Sequence, residues 1–342
     1  MNFSAFKLWR EEALRADPGL LDCAETNLYR ALAPLQPAAP TCDLNRPVHR
    51  CDLARAWLRR YGFSETESRN ALVSGGVRHA LSLIFPHLSK SGALLWLPED
   101  VYPVYLELAR QAEIEPRLFP TLPKPVLPQD TPLVGTAEYL LIANPWKPLG
   151  RYLTGDECTA LENWLAAAPE RRLLIDCVYD LGSTFHWTTL KLGETGRAIL
   201  LHSVAKGWLW PRTFGVALVG SGDRQLESIF RENSPAQEQL LLADKLLSNA
   251  GDVPGKVTAA LKARKGEFMA AMPSTVRAHL LIDADSLADG GYFFPVRIPQ
   301  TELVRKHRIL ALPASVFGGD WNGSILTSLG PAFLPDRITR DI

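Results

Sequence analysis

A lysine, an acid, an asparagine and a glycine pair each stand beside an apolar run, and they carry most of the chemistry legible in the chain. Lys206 follows the apolar residues 198–202, three positions after Ser203 and six before Arg212. A lysine at the ligand edge of a sheet is partly desolvated, which favours its neutral, nucleophilic amine. Ser203 and Arg212 suit a phosphate, the arginine through forked, charge-assisted hydrogen bonds. The same segment also reads as a solvated lysine and arginine. Asp176 ends the run 172–175, and Tyr179 follows three residues later. A carboxylate there can pair with a protonated ring nitrogen, or simply cap a helix. Asn144 opens Asn-Pro-Trp-Lys-Pro-Leu-Gly (144–150), a turn fixed by two prolines and a glycine, where it is placed to donate to a ligand oxygen or only to shape the strand exit. Gly75-Gly76-Val77-Arg78 opens an apolar helix. Backbone N–H groups at such an end attract phosphate, although a glycine pair alone is weak evidence. Tyr102, in Tyr-Pro-Val-Tyr (102–105), can stack on a flat ring or serve as an ordinary turn aromatic.

These positions need a scaffold, and the spacing of apolar runs supplies one. Residues 92–97, 138–143, 172–176, 198–202 and 214–219 read as buried strands separated by amphipathic helical stretches. That pattern predicts a parallel-rich α/β sheet with ligands beyond the carboxyl ends of its strands. A helix is predicted at the N-terminus and another over 51–61, with a Pro-rich connector at 32–40 between them. Helices over 237–249 and 256–272, separated by a Gly/Pro break, lead to a small α+β region around 291–297 and 309–312. The expected organisation is an arm at 1–40, a large cofactor-binding domain at 41–235, and a linking helix with a small domain at 236–342.

The 342 residues include 37 basic and 37 acidic side chains, so no net field attracts nucleic acid or an anionic membrane. The longest apolar runs fall well short of the roughly 20 residues that span a bilayer. The N-terminus lacks the features of a secretory signal, which points to a cytoplasmic location. Five scattered cysteines have no zinc-site spacing and read as reduced thiols, so no metal is expected.

Taken in order, the glycine-opened helix, Tyr-Pro-x-Tyr, Asn-Pro-x-x-Pro-x-Gly, Asp-x-x-Tyr and Ser-x-x-Lys followed by arginine resemble the pyridoxal 5′-phosphate-dependent class I/II aminotransferases. The resemblance is nearest to the histidinol-phosphate aminotransferase and threonine-phosphate decarboxylase branch and spans roughly residues 25–330. It implies aminotransferase fold type I, with a mainly parallel seven-stranded sheet between helices in the large domain and a small α+β domain built from the N-terminal arm and the C-terminal segment. It also implies that Lys206 carries the cofactor as an imine and moves the substrate α-proton, and that Asp176 binds the ring nitrogen. By the same resemblance, Asn144 and Tyr179 contact the phenolic oxygen, Tyr102 stacks on the ring, and the backbone of Gly76, Val77 and Arg78 holds phosphate with Ser203 and Arg212. Tyr29, in Glu-Thr-Asn-Leu-Tyr (25–29), matches a substrate-lid segment. The implied reaction passes an amino group from a small-molecule donor to a keto acceptor in a homodimer.

The chain departs from the family in three places. Lys206 and Arg212 are six apart where eight is usual, and no tyrosine stands near 45–50 to reach a neighbouring subunit. Leu326 falls where an arginine usually grips the substrate carboxylate, leaving Arg297 as a candidate substitute. This last departure raises an alternative reading, a decarboxylase, lyase, cyclase or oxidase on the same cofactor. A non-catalytic relative is a third, opposed by the joint presence of Lys206, Asp176, Asn144 and Tyr179.

Overall fold

Runs of leucine and isoleucine without polar alternation form strands covered on both faces. In the computed structural model, which describes residues 2–38, 47–62, 71–101, 103–131, 135–182, 184–210, 214–219, 224–249, 251–283, 286 and 291–333, these runs build the central sheet. The strands are β1 (Leu21–Asp22), β2 (Ala71–Ser74), β3 (Leu94–Pro98), β4 (Arg117–Phe119), β5 (Glu138–Ala143), β6 (Arg171–Asp176), β7 (Ala198–Ser203), β8 (Gly215–Leu218), β9 (Phe293–Val296), β10 (Ile309–Leu310), β11 (Leu312–Pro313) and β12 (Ser324–Thr327). Seven of them form one sheet in the order β2-β8-β7-β6-β5-β3-β4. The pairs among β7, β6, β5, β3 and β4 are parallel, while β8 runs antiparallel to both β7 and β2. The expected α/β class and mainly parallel seven-stranded sheet are both present.

Helices flank this sheet and close the chain: α1 (Phe3–Ala16), α2 (Leu28–Ala31), α3 (Arg50–Arg60), α4 (Val77–Lys90), α5 (Val104–Gln111), α6 (Gly155–Ala166), α7 (Trp187–Glu194), α8 (Val204–Gly207), α9 (Arg224–Glu232), α10 (Gln237–Asn249), α11 (Val253–Ala271), α12 (Ser274–Arg277) and α13 (Gln300–His307). Along β6, Leu173 and Ile175 pack into one apolar cluster with Trp57, Trp146 and Trp208, whereas Leu174 packs into another with Leu81, Phe85 and Leu108. Both faces are therefore core, and each fully buried leucine or isoleucine contributes about 1.5–3 kcal/mol. Among the described residues no helix is long and apolar enough to cross a membrane.

Two strands of the central sheet are not evident in the sequence because they are short and weakly apolar. β2 has only half its residues buried, and β4 exposes Arg117 and Leu118. The Gly/Pro break predicted before residue 256 is instead the first turn of α11. Asp252 caps it by accepting from the Gly255 N–H, and Pro254 occupies a position whose N–H has no helical partner anyway.

A three-stranded antiparallel sheet, β11-β12-β9, and the parallel pair β1-β10 enclose a third apolar cluster that includes Phe268, Phe294, Ile309 and Leu326. Helix α1 is fixed to this region by buried Arg10, which pairs with Asp22 and, at 3.2 Å, with Glu25. Thr327 donates to the Glu25 carbonyl at 2.7 Å, so β12 holds the start of the segment that carries Tyr29.

His202, buried on β7, is held neutral. The Trp57 indole N–H donates to its Nδ1 at 3.2 Å, and its Nε2 faces the Asp180 carbonyl at 3.3 Å. Burial lowers its pKa to about 3. The unfolded imidazole takes a proton near pH 6.5, so only the unfolded state gains charge as pH falls from about 6.5 toward the folded value. His202 should thus withdraw about 1.4 kcal/mol of stability per pH unit through that window, and chemical denaturation of wild type against His202→Gln at stepped pH should show a shallower acid slope in the variant.

Candidate active site

The carboxyl ends of β2, β5, β6 and β7 converge on a cavity of about 550 Å³ lined by Gly76, Ala143, Asp176 and Ser203, with Lys206 just beyond β7. The corner of this cavity beside Gly76 and Ser203 follows from the register of three strands. Gly215 on β8 pairs with Ser74 on one side and Ser203 on the other. A Cβ on Gly215 would lie 2.5 Å from the His202 carbonyl oxygen and 2.7 Å from the Gly76 Cα, so only glycine lets the strands meet this closely. Gly76 then caps α4 with φ of 107°, a left-handed value that glycine adopts without penalty. No side chain caps this fourteen-residue helix. The first-turn N–H groups of Val77 and Arg78 therefore face the cavity beside Ser203 with the helix dipole behind them. The Gly76 N–H instead donates to Ser74 Oγ at 3.3 Å.

Asp176 is the last residue of β6. Its Oδ1 accepts from the Val178 N–H at 2.9 Å and its Oδ2 from the Tyr105 hydroxyl at 2.5 Å. Burial, and then the Asp176 charge, push the Tyr105 hydroxyl well up, so it stays protonated and donating. A buried carboxylate with two fixed donors and a side open to the cavity suits a protonated heterocyclic nitrogen.

Lys206 extends from α8, whose N-cap is Ser203. Its ammonium lies 5.1 Å from the Tyr29 ring centroid and 5.5 Å from that of Tyr179. The Tyr29 hydroxyl donates to the Ala205 carbonyl at 2.6 Å, which fixes the segment 25–29 over the lysine. Tyr292 donates to the Tyr179 hydroxyl at 3.0 Å. Burial raises the Tyr179 pKa, but Lys206, then Lys147, and hydrogen bonds from Tyr292 and Lys206 outweigh it and leave the hydroxyl below its ordinary value.

The structure thus brings together Lys206, Asp176, Tyr179, Ser203, Tyr29 and the opening of α4. It leaves out others. The Asn144 amide donates to Thr188 Oγ1 at 2.9 Å and Thr189 Oγ1 at 2.8 Å, and its oxygen accepts from the Leu153 N–H at 3.0 Å. Both of its donor hydrogens are taken by α7, so in this structure the side chain anchors the strand exit. Arg297 is exposed just past β9 and away from the cavity lining. Leu326 faces the third apolar cluster, so neither residue is among the described lining residues of the cavity. Tyr102 and Arg212 lie outside the described residues.

Tyr105 and Lys147 are among the lining residues that the sequence did not single out. Tyr105 was visible as the second tyrosine of Tyr-Pro-x-Tyr. Lys147 stood in the proline turn after β5, where a lysine reads as solvated, yet its ammonium sits 3.5 Å from the Tyr179 ring centroid. Burial lowers its pKa, and nearby Asp176 and Tyr179 oppose that shift.

The donor set fits a phosphorylated, ring-nitrogen cofactor: an uncapped helix end with a hydroxyl for the phosphate, a buried acid for the ring, and a lysine for a carbonyl carbon. Comparison with solved structures agrees with the fold. An aminotransferase from Staphylococcus aureus superposes with a TM-score of 0.66 at 15% identity, over 92% of this chain and 90% of its own. YbdL from Escherichia coli, for which a methionine aminotransferase function is described, gives 0.66 at 16% identity over 95% and 93%. A probable N-succinyldiaminopimelate aminotransferase from Thermus thermophilus gives 0.63 at 19% identity over 96% of each. No curated protein matches the chain by sequence. The family model for aminotransferase class I and II matches residues 40–279, and the chain belongs to that pyridoxal-phosphate-dependent family.

Proposed function

We propose that the chain transfers an amino group from an amino acid or related amine to a keto acid, with Lys206 as the covalent anchor of pyridoxal phosphate and as the base. The observation that carries this reading is the convergence of Lys206, Asp176 and the uncapped end of α4 on one cavity. Bound in that cavity, the cofactor supplies an electron sink for charge left on the donor α-carbon.

Asp176, which accepts from the Tyr105 hydroxyl and the Val178 N–H, would pair with the ring nitrogen. The Val77 and Arg78 N–H groups with Ser203 would hold the phosphate, and Tyr179 would contact the phenolic oxygen. Tyr102 and Arg212 keep the stacking and phosphate roles that the family resemblance gives them. Lys206 takes the α-proton of the donor and returns it on the opposite course. Tyr29, tethered to Ala205, covers the lysine and keeps water from the reacting carbon.

Family membership supports a homodimer and the division into an arm at 1–40, a large domain at 41–235 and a small domain at 236–342. Free, buried Cys23, Cys158 and Cys177 suit a cytoplasmic, reducing compartment. The nearer likeness to the histidinol-phosphate and threonine-phosphate branch rests on motif order alone.

The test is to load purified protein with cofactor, add a panel of amino donors, and follow the visible band and the products. Transamination bleaches the band, yields the keto product and restores the band with a keto acid. The apolar burial of Leu326 favours one competing reading, another bond cleavage at the same carbon. Carbon dioxide or an eliminated group without keto product would establish that reading instead.

A further inference from the structure

We propose that Lys147 binds the carboxylate of the amino donor, and that the donor carries an apolar or aromatic side chain. This inference rests on the aminotransferase reading and specifies its substrate class.

A carboxylate entering a half-closed cavity loses water and needs a cation. Among the described residues, the cations lining the cavity are Lys7, Arg78, Lys147 and Lys206. Lys206 is engaged at the reacting carbon. Arg78 is directed to Glu107, 3.3 Å away on an exposed surface. Lys7 is exposed on α1, its ammonium 5.0 Å from the Phe3 ring centroid at the mouth. Lys147 remains, half-buried and 3.5 Å from the centre of the same Tyr179 ring that Lys206 approaches at 5.5 Å. Two ammonium groups around one ring can address the amine-bearing carbon and its carboxylate together. Asn144, at the start of the same loop, is locked by three hydrogen bonds, so the base of the loop carrying Lys147 is fixed.

The side-chain preference follows from the aromatic lining that adjoins Tyr179, whose ring meets Phe293 at 6.4 Å. Phe3 and Phe317 meet edge to face with centroids 6.4 Å apart, and Phe317 meets Phe293 at 6.3 Å and 89°. Leu28 completes this apolar wall. Asp176 is the one acid among the described lining residues and is already engaged, so a cationic donor side chain finds no partner.

The test uses the cofactor-loaded enzyme with L-phenylalanine, L-glutamate, L-lysine and phenethylamine as donors, and titrates 3-phenylpropionate calorimetrically as a non-reacting carboxylate. Phenylalanine is expected to give the highest kcat/KM of the three amino acids. In Lys147→Met, the ratio of kcat/KM for phenylalanine over phenethylamine should fall by about tenfold to a hundredfold, chiefly through KM, and 3-phenylpropionate binding should weaken in step. Lys147→Arg should restore part of both, and Lys147→Gln, which keeps a polar side chain, should resemble Lys147→Met. An unchanged ratio in Lys147→Met and Lys147→Gln overturns the carboxylate assignment, as does a ratio that falls in Lys7→Met instead. Preference for glutamate or lysine overturns the side-chain assignment. Failure of wild type to form a coloured complex or a keto product defeats the underlying aminotransferase reading, a result distinct from either of these.

Discussion

Lys206→Ala should lose at least about 10⁴-fold in kcat with any donor, because one substitution removes both the covalent anchor and the base at the α-carbon. The loss should be catalytic rather than structural. Lys206 leaves the four-residue helix α8 toward the cavity, and the packing beneath it is carried by Val204 and Trp208, both fully buried. The variant should therefore unfold near the wild-type temperature while failing to retain cofactor through gel filtration. Comparing thermal unfolding with the visible spectrum of the filtered protein separates the two effects. Retention of colour and rate by Lys206→Ala would remove the residue from the chemistry.

Asp176→Asn should reduce kcat by about 10²–10³-fold, the range seen when a preorganised electrostatic partner of a developing charge is lost. Asparagine still accepts one hydrogen bond from Val178 or Tyr105, so folding is spared, but it supplies no negative charge to hold a ring nitrogen protonated. Tyr105→Phe makes the complementary test. It removes one donor to the carboxylate and should cost about tenfold, in line with one hydrogen bond to a charged group. If the Tyr105 and Asp176 substitutions act through the same carboxylate, the double variant should be no slower than Asp176→Asn alone. Steady-state kinetics on the three variants decides this, and additive losses would show that Tyr105 acts elsewhere.

The parts of the site that were legible in the sequence are those fixed by strand ends. β5, β6 and β7 are continuous apolar runs because both faces are covered, and the first polar residues beyond them must lie at the ligand edge. Asp176, Ser203 and Lys206 follow from that rule and from the order of motifs. The turn after β5 was also legible as a turn, but not the direction of its side chains. Asn144 points away because Thr188 and Thr189, supplied by α7 more than forty residues later, take both of its amide hydrogens. Lys147 points inward from the same loop, and a lone lysine between prolines carries no mark of that.

The small sheet shows the limit of reading a position by alignment. In β12 successive residues face opposite sides, so Ile325 joins the cluster beside the central sheet while Leu326 joins the third cluster. Arg297 falls one residue past β9 and turns to solvent. A family position that lacks its usual arginine does not identify its replacement, because the replacement here comes from another loop. That is why the candidate carboxylate partner emerged only from side-chain placement around Tyr179.

The most direct test of the central claim is to trap the cofactor on the protein. Loaded wild-type enzyme is reduced with borohydride, digested and sequenced by mass spectrometry, with Lys147→Met in parallel. The predicted result is a single pyridoxyl adduct on Lys206 in both proteins. An adduct on Lys147, or none on Lys206 at saturating cofactor, would contradict the assignment of Lys206 as the anchor.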